Sequence, residues 1–237
     1  MSKKNIVVFT GAGVSADSGI KTFRDADGLW ENHKVEDVAT PEAWIKNKEL
    51  VLKFYNERRK QLLNAQPNAM HIFIASLEKE YNVNVITQNV DDLHERAGSK
   101  NVLHLHGELT KARSTINPEL IYTIKKDTLE LGDLCELKSQ LRPHIVWFGE
   151  DVPEMDNAYK QTEFTDLFIV VGTSLSVYPA ANLLTYVSAY TPKILVDPGT
   201  FNLDYVKNLT HIQATAANGV IALNQAIDKL FNVKSFL

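Results

Sequence analysis

The chain has 237 residues, 44% of them apolar and 23% charged, and a formal net charge of −4. That is the composition of an ordinary globular protein, long enough for one large α/β domain or one domain with a modest insertion, and without the basic excess of a strong nucleic-acid binder. A single cysteine, Cys135, excludes an intrachain disulfide and a multi-cysteine metal site; no apolar run reaches transmembrane length, and Met1-Ser2-Lys3-Lys4 leads straight into a strand with no signal-peptide pattern, so a cytoplasmic protein without membrane or nucleic-acid partners is expected.

The first expected strand, Asn5–Phe9, breaks into Thr10-Gly11-Ala12-Gly13-Val14-Ser15-Ala16-Asp17-Ser18-Gly19-Ile20, a glycine turn and a helix start. Gly11 and Gly13 lack a Cβ, so they permit φ > 0 and close backbone approach. The amides of the next turn can then face an anion. The third glycine comes too late for the G-x-G-x-x-G dinucleotide spacing. An ordinary strand-to-helix turn explains this segment equally well. Helical patterns follow over Pro41–Leu63 and Ala69–Tyr81. A second strand, Val83–Thr87, ends in Gln88-Asn89-Val90-Asp91-Asp92-Leu93-His94, and a third, Val102–Leu105, in His106-Gly107-Glu108. His144–Val146 reads as a fourth strand. The fifth, Leu167–Val171, runs into Gly172-Thr173-Ser174, and a helix follows over Pro179–Tyr190. The sixth, Ile194–Asp197, stops at Pro198-Gly199, before a last helix at Ala217–Leu230. Pro41 and Pro179 suit first helical turns.

Continuous apolar strands alternating with helices point to a parallel sheet covered on both faces. In such sheets ligands sit beyond the carboxyl ends of the strands, which is where this chain places its unusual polar residues. Singly, each has a plain reading: Asn89 as a turn residue, Asp91 as a helix N-cap, His104 and His106 as packed side chains. Together they argue for one ligand crevice.

Gly11-Ala12-Gly13-Val14-Ser15, Phe23-Arg24, Thr87-Gln88-Asn89-Val90-Asp91, His106-Gly107-Glu108, Trp147-Phe148-Gly149-Glu150 and Gly172-Thr173-Ser174, in this order through nearly the whole chain, resemble the sirtuin family of NAD-dependent protein-lysine deacylases. The resemblance implies a Rossmann-like doubly wound parallel sheet with a small, mostly helical insertion domain. It divides the chain into an NAD-binding domain over 1–28, 65–110 and 143–237 and a small domain over 29–64 and 111–142. It implies NAD as a consumed co-substrate, acylated lysine side chains of proteins or peptides as partners, and nicotinamide and O-acyl-ADP-ribose as products; a monomer is expected. In that chemistry the acyl oxygen attacks the ribose carbon as nicotinamide leaves. His106 is the implied base for a ribose hydroxyl, a task imidazole suits with its ordinary pKa of about 6.5, and His104 is its structural neighbour. Asn89 and Asp91, implied catalytic partners, hold the nicotinamide ribose and carboxamide region with Val90, and Gln88 lies against the ribose. Gly11, Ala12, Gly13 and Ser15 form the cofactor turn. Phe23 and Arg24, with Trp30, cover NAD. Gly172, Thr173 and Ser174 meet phosphate and the adenosine ribose, Asp197 stands where many relatives have Asn, and Ala217 lies by the adenine.

Arg24-Asp25-Ala26-Asp27-Gly28-Leu29-Trp30, Val35-Glu36-Asp37-Val38-Ala39-Thr40-Pro41 and Phe54-Tyr55-Asn56-Glu57-Arg58-Arg59 resemble the class III branch, whose Tyr-x-x-Arg signature is here Tyr55 and Arg58. Members often prefer succinyl-, malonyl- or glutaryl-lysine. On a helix Tyr55 and Arg58 share a face, and a guanidinium fork with a phenol suits an acyl carboxylate. Arg59 points about 100° away. Without the resemblance, a solvated Arg and a packing Tyr fit the same pattern. Ala26 is expected to leave room beside the acyl group, and Val146 and Phe148 to line the acyl-lysine tunnel. Gly149-Glu150-Asp151 and Ser176-Val177-Tyr178 are the implied loop strands that pair with an extended peptide.

The chain departs from the family at its structural zinc, which needs four thiolates or imidazoles. Ser114, Asn117 and Lys138 stand at three of the ligand positions and only Cys135 remains, so no metal is expected. Packing of Ile116, Leu120, Ile121, Ile124, Leu129, Leu131, Leu134, Leu137 and Leu141 is expected to hold the small domain instead. Two other readings stay open: a protein ADP-ribosyltransferase, or a non-catalytic NAD-sensing module.

Overall fold

The computed structural model describes residues 2–20, 33–173 and 182–231, and the backbone of 29–30. In chain order the elements are β1 (Asn5–Thr10), α1 (Gly13–Ala16), β2 (Leu29–Trp30), β3 (His33–Lys34), α2 (Val35–Val38), α3 (Pro41–Lys46), α4 (Lys48–Asn64), α5 (Ala69–Leu77), β4 (Asn82–Thr87), α6 (Leu93–Ala97), β5 (Val102–His104), β6 (Gly107–Ser114), β7 (Ile121–Thr123), β8 (Leu141–Ile145), α7 (Met155–Glu163), β9 (Leu167–Val171), α8 (Leu183–Tyr186), β10 (Lys193–Val196), β11 (Leu209–Ile212) and α9 (Val220–Phe231).

Six strands form a parallel sheet in the order β11-β10-β9-β1-β4-β5, the doubly wound arrangement expected. Its apolar residues alternate between two cores, as a period of two requires. Ile6, Val8, Val85, Ile169 and Val196 face α5 and α9 through Met70, Ile74, Leu223 and Ile227. Val7, Phe9, Ile86, Phe168 and Leu195 face α7 and α8 through Met155, Ala158, Leu183 and Leu184. The chain winds from β1 outward through β4 and β5, then returns to β9 on the other side of β1. The switch point therefore lies between β1 and β9, where an open α/β sheet forms its binding crevice.

A third core belongs to a lobe in which α2–α4 pack on a three-stranded antiparallel sheet, β7-β6-β8. The single helix expected over Pro41–Leu63 is two. Asn47 closes α3 by donating from its backbone to Ala43, and its Oδ1 accepts from Leu50 N at 3.0 Å to open α4. One side chain that competes for the backbone is enough to split the run. The expected fourth strand, His144–Val146, lies in this lobe sheet, where β8 pairs with β6; its polar alternation suits an antiparallel sheet with a wet face. The insertion is thus helical over α2–α4, whereas residues 111–142 contribute strands and turns. Of the apolar residues expected to hold this region, Ile124 and Leu141 pack against the lobe core. Leu129 is buried as well, but Ile121 on β7 and Ile116, Leu131, Leu134 and Leu137 in the connecting turns are exposed. Strand β11 escapes the sequence reading as a short, polar edge strand. Among the described residues no helix is long and apolar enough to cross a membrane.

Candidate active site

The turn after β1 lies directly against the end of β9. Gly11 N donates to Val171 O at 3.0 Å and Gly13 N to Gly172 O at 2.8 Å. A Cβ on Gly11 would stand 2.6 Å from Thr173 Cβ, and one on Gly13 2.7 Å from Gly172 Cα. The expected positive φ is not at these two glycines; it falls on Gly172, at +62°, whose Cβ would meet Val14 N at 2.3 Å. Close approach, rather than a left-handed turn, explains Gly11 and Gly13. Ala12 is exposed at the mouth.

Behind this turn a buried network fixes the end of β4. Ser15 Oγ donates to Asp91 Oδ2 at 2.9 Å and accepts from Asn89 Nδ2 at 3.1 Å; that amide also reaches Gly11 O. Leu93 N donates to the other Asp91 oxygen. Burial raises the Asp91 pKa, and the Ser15 and Leu93 hydrogen bonds oppose it. Gln88 Oε1 accepts from Thr173 Oγ1 at 3.1 Å, while Gln88 Nε2 is buried with no hydrogen-bond partner among the described residues. Half-buried Val90 accepts from Leu109 N, tying this loop to β6. Beneath it lies a layer that sequence reasoning missed. Thr10 and Thr87, opposite each other on β1 and β4, share a hydrogen bond at 2.8 Å, Thr87 Oγ1 accepts from Asn89 N, and His94 Nε2 lies 3.1 Å from Thr10 Oγ1. Its only signal was threonine at two apolar strand ends.

The two histidines near the end of β5 have opposite environments. His104 Nδ1 bonds Asn89 O and its Nε2 lies 2.7 Å from Glu95 Oε1. Burial lowers its pKa, but the Glu95 hydrogen bond and charge outweigh that and leave it raised. His106 Nδ1 bonds Gln88 O at 3.0 Å. A carbonyl only accepts, so Nδ1 carries the proton and Nε2 is the free base. Burial keeps its pKa below the ordinary value. At the far side of the crevice Asp197, buried at the end of β10, accepts from Gly199 N at 2.8 Å. Ala217 N donates to Asp17 Oδ2 at 2.9 Å, bringing the segment before α9 onto the turn after α1. Phe23, Arg24, Ala26, Ser174, Val177 and Tyr178 lie outside the described residues, as does the side chain of Trp30.

On the lobe side, Tyr55 is completely buried on α4 and its hydroxyl accepts from Trp147 Nε1 at 3.0 Å. Arg58 is buried one turn on, its guanidinium 5.9 Å from the Phe54 ring. Burial pushes the Tyr55 phenol well up, with nearby Arg58 opposing. Arg59, on another face, fastens α4 to β6 by donating to Leu109 O at 2.8 Å, and within α4 it donates to Asn56 Oδ1 at 2.6 Å. The Glu150 carboxylate is held within the lobe. Arg142 bonds both its oxygens, at 2.6 and 3.0 Å, and Arg113 and Trp147 N bond it as well. Phe148 is half-exposed and Val146 half-buried, its amide bonded to His106 O.

Residues 11–179 match the family model described as the Sir2 family. The chain belongs to the Sir2 family. A relative from Helicobacter pylori strain J99, named NAD-dependent protein deacylase, is 51% identical over 232 residues, 98% of this chain and 97% of that protein. One of the same name from Bacteroides thetaiotaomicron is 51% identical over 229 residues, 94% of this chain and 98% of that protein. A crystal structure of a Sir2 homologue in complex with NAD superimposes with a TM-score of 0.84 at 40% identity, covering 96% of this chain and 91% of that one.

Ser114, Asn117, Cys135 and Lys138, the set expected from the sequence at the zinc-ligand positions, offer one thiol beside a hydroxyl, an amide and an ammonium, a donor set unlike the four thiolates or imidazoles that such a metal needs. Cys135 Sγ lies 3.4 Å from Ser114 Oγ, which also accepts from the amides of Ile116 and Asn117. Lys138 stands at a φ of 56°, its amide bonded to Cys135 O. Hydrogen bonds knit this corner. Among the described residues no cluster of three or more His, Cys, Asp or Glu side chains could hold a metal ion.

Proposed function

We propose that this NAD-dependent protein deacylase removes succinyl and malonyl groups, and acetyl groups as well, from protein lysines. Bound NAD supplies the electrophilic ribose carbon and the nicotinamide leaving group. The crevice suits it. Gln88 Nε2 is a buried donor with no acceptor among the described residues, Asn89 and Asp91 are locked through Ser15 for the nicotinamide end, and Asp197 brings a carboxylate toward the adenosine ribose. His106 Nε2 takes the proton of a ribose hydroxyl. The bond from its Nδ1–H to Gln88 O fixes the tautomer this requires. Because burial lowers its pKa, the basic form persists below the ordinary histidine value.

The observation that carries the acidic-acyl reading is the Tyr55 phenol. It is fully buried, its oxygen already accepts from Trp147, and its own O–H has no acceptor among the described residues. Leaving a buried donor unmet costs about 1–3 kcal/mol. A carboxylate held against Arg58 meets that O–H, and adds a charge-assisted fork. The Ser114, Asn117, Cys135 and Lys138 set completes the reading as a deacylase whose lobe stands without zinc.

The test is mass spectrometry of one lysine peptide carrying acetyl, succinyl or malonyl, incubated with NAD and either the parent or Arg58→Met. The parent is expected to favour the acidic groups, and Arg58→Met to lower the succinyl-to-acetyl ratio of kcat/KM at least about tenfold, the value of a hydrogen bond to a charged group. An unchanged ratio makes Arg58 a packing residue and the chain a plain deacetylase. NAD consumption with every acyl group left in place favours ADP-ribosyl transfer.

A further inference from the structure

We infer that Trp147 is the positioning residue that sets acyl selectivity, by holding the Tyr55 hydroxyl in the donor orientation that an acyl carboxylate needs. The inference rests on the acidic-acyl reading of Tyr55 and Arg58 above.

An indole N–H can only donate. The 3.0 Å bond from Trp147 Nε1 therefore makes the Tyr55 oxygen the acceptor and turns the phenol proton away from the indole. A free phenol is both donor and acceptor. A carboxylate is acceptor only, so it gains from a phenol committed to donating and is repelled by one that presents a lone pair. Acetyl-lysine has no second carboxylate and does not sense the difference.

The indole itself is clamped. The Arg142 guanidinium lies 3.3 Å from its ring centroid, and the rings of Trp44 and Tyr55 lie at 5.8 and 6.5 Å. Arg142 is in turn pinned by both Glu150 oxygens and by Ile145 O at 3.0 Å, while Trp147 N bonds the same carboxylate at 2.8 Å. The line Glu150–Arg142–Trp147–Tyr55 thus runs from the turn after β8 to the middle of α4, across 92 positions of sequence. It gives the Glu150 carboxylate a task that peptide pairing does not: holding the group that orients the phenol. Preorganisation of this kind converts a hydrogen bond into selectivity because the ordering cost is met in the fold, before substrate arrives.

A double-mutant cycle of Trp147→Phe and Tyr55→Phe tests it. Trp147→Phe is expected to lower kcat/KM for succinyl-lysine relative to acetyl-lysine about five- to tenfold, what one neutral hydrogen bond is worth, with the change in KM rather than kcat. In the Tyr55→Phe background the same substitution is expected to change the ratio no further. If Trp147→Phe lowers both substrates alike, or acts in full on top of Tyr55→Phe, Trp147 only packs and the inference falls. If Tyr55→Phe alone leaves the ratio unchanged, the acidic-acyl reading itself falls. Should Trp147→Phe not fold, the parent supplies the readout through the indole N–H resonance of Trp147 in the 15N-labelled protein. That signal is expected to move in Tyr55→Phe, and to shift more with a succinyl-lysine peptide than with an acetyl one. A signal indifferent to both overturns the inference.

Discussion

In the crevice, polar groups are carried by parallel strands in register. Thr10 stands opposite Thr87 and Thr87 opposite His104, so the residues just beyond these strands converge whatever their own chemistry. In the lobe, β6 and β8 pair with a bulge between Glu108 and Ala112, few apolar side chains of 111–142 are buried, and the geometry comes from side chains: Arg142 and Arg113 on Glu150, Arg59 on Leu109 O and Asn56, Cys135 on Ser114. A site built on backbone tolerates exchange of side chains but not of space. One built on side-chain pairs behaves the other way round.

The sharpest way to break the crevice is therefore to add one methyl group. Gly172→Ala places a Cβ 2.3 Å from Val14 N at a φ of +62°. Left-handed strain and overpacking together are expected to cost about 3–5 kcal/mol, seen as a fall in thermal midpoint together with loss of NAD affinity by calorimetry. NAD affinity at the parent level would show that the turn and the end of β9 can part without consequence. The corresponding insult to the lobe keeps volume and removes charge. Glu150→Gln leaves two guanidiniums facing a neutral amide. Because the carboxylate is partly solvated, about 2–3 kcal/mol is expected rather than the full cost of a buried pair, or roughly 5–10 °C in the midpoint, with peptide affinity falling more than NAD affinity. Equal losses of both would mean the lobe and crevice are one cooperative unit. The smallest effect expected is that of a zinc chelator: no shift in midpoint, with elemental analysis giving far less than one zinc per chain. A chelator-dependent drop in midpoint would return the metal to the lobe.

The contrast also separates what could be read in the sequence. Buried parallel strands announce themselves as apolar runs, so β1, β4, β9 and β10 and the polar residues just beyond them were legible, and with them Gln88, Asn89, Asp91 and His106. Asn47, which splits the long helix, is an ordinary polar residue until its side chain is seen capping α4. The lobe strands alternate and carry charges, a pattern shared with exposed helices and loops, and β8 was accordingly placed in the wrong sheet. That the Glu150 carboxylate is held by Arg142 was not legible, because nothing local shows that a side chain eight residues earlier folds back on it.

By itself the sequence determined the kind of sheet and the strand ends that carry the polar residues, because strand periodicity and turn chemistry are local properties. Only the tertiary structure decided which glycine is left-handed, which nitrogen of His106 is free to take a proton, which charges in the lobe are already spent on each other, and that the indole of Trp147 reaches the phenol of Tyr55. Those are matters of direction and distance between residues far apart in the chain, and no local pattern encodes them.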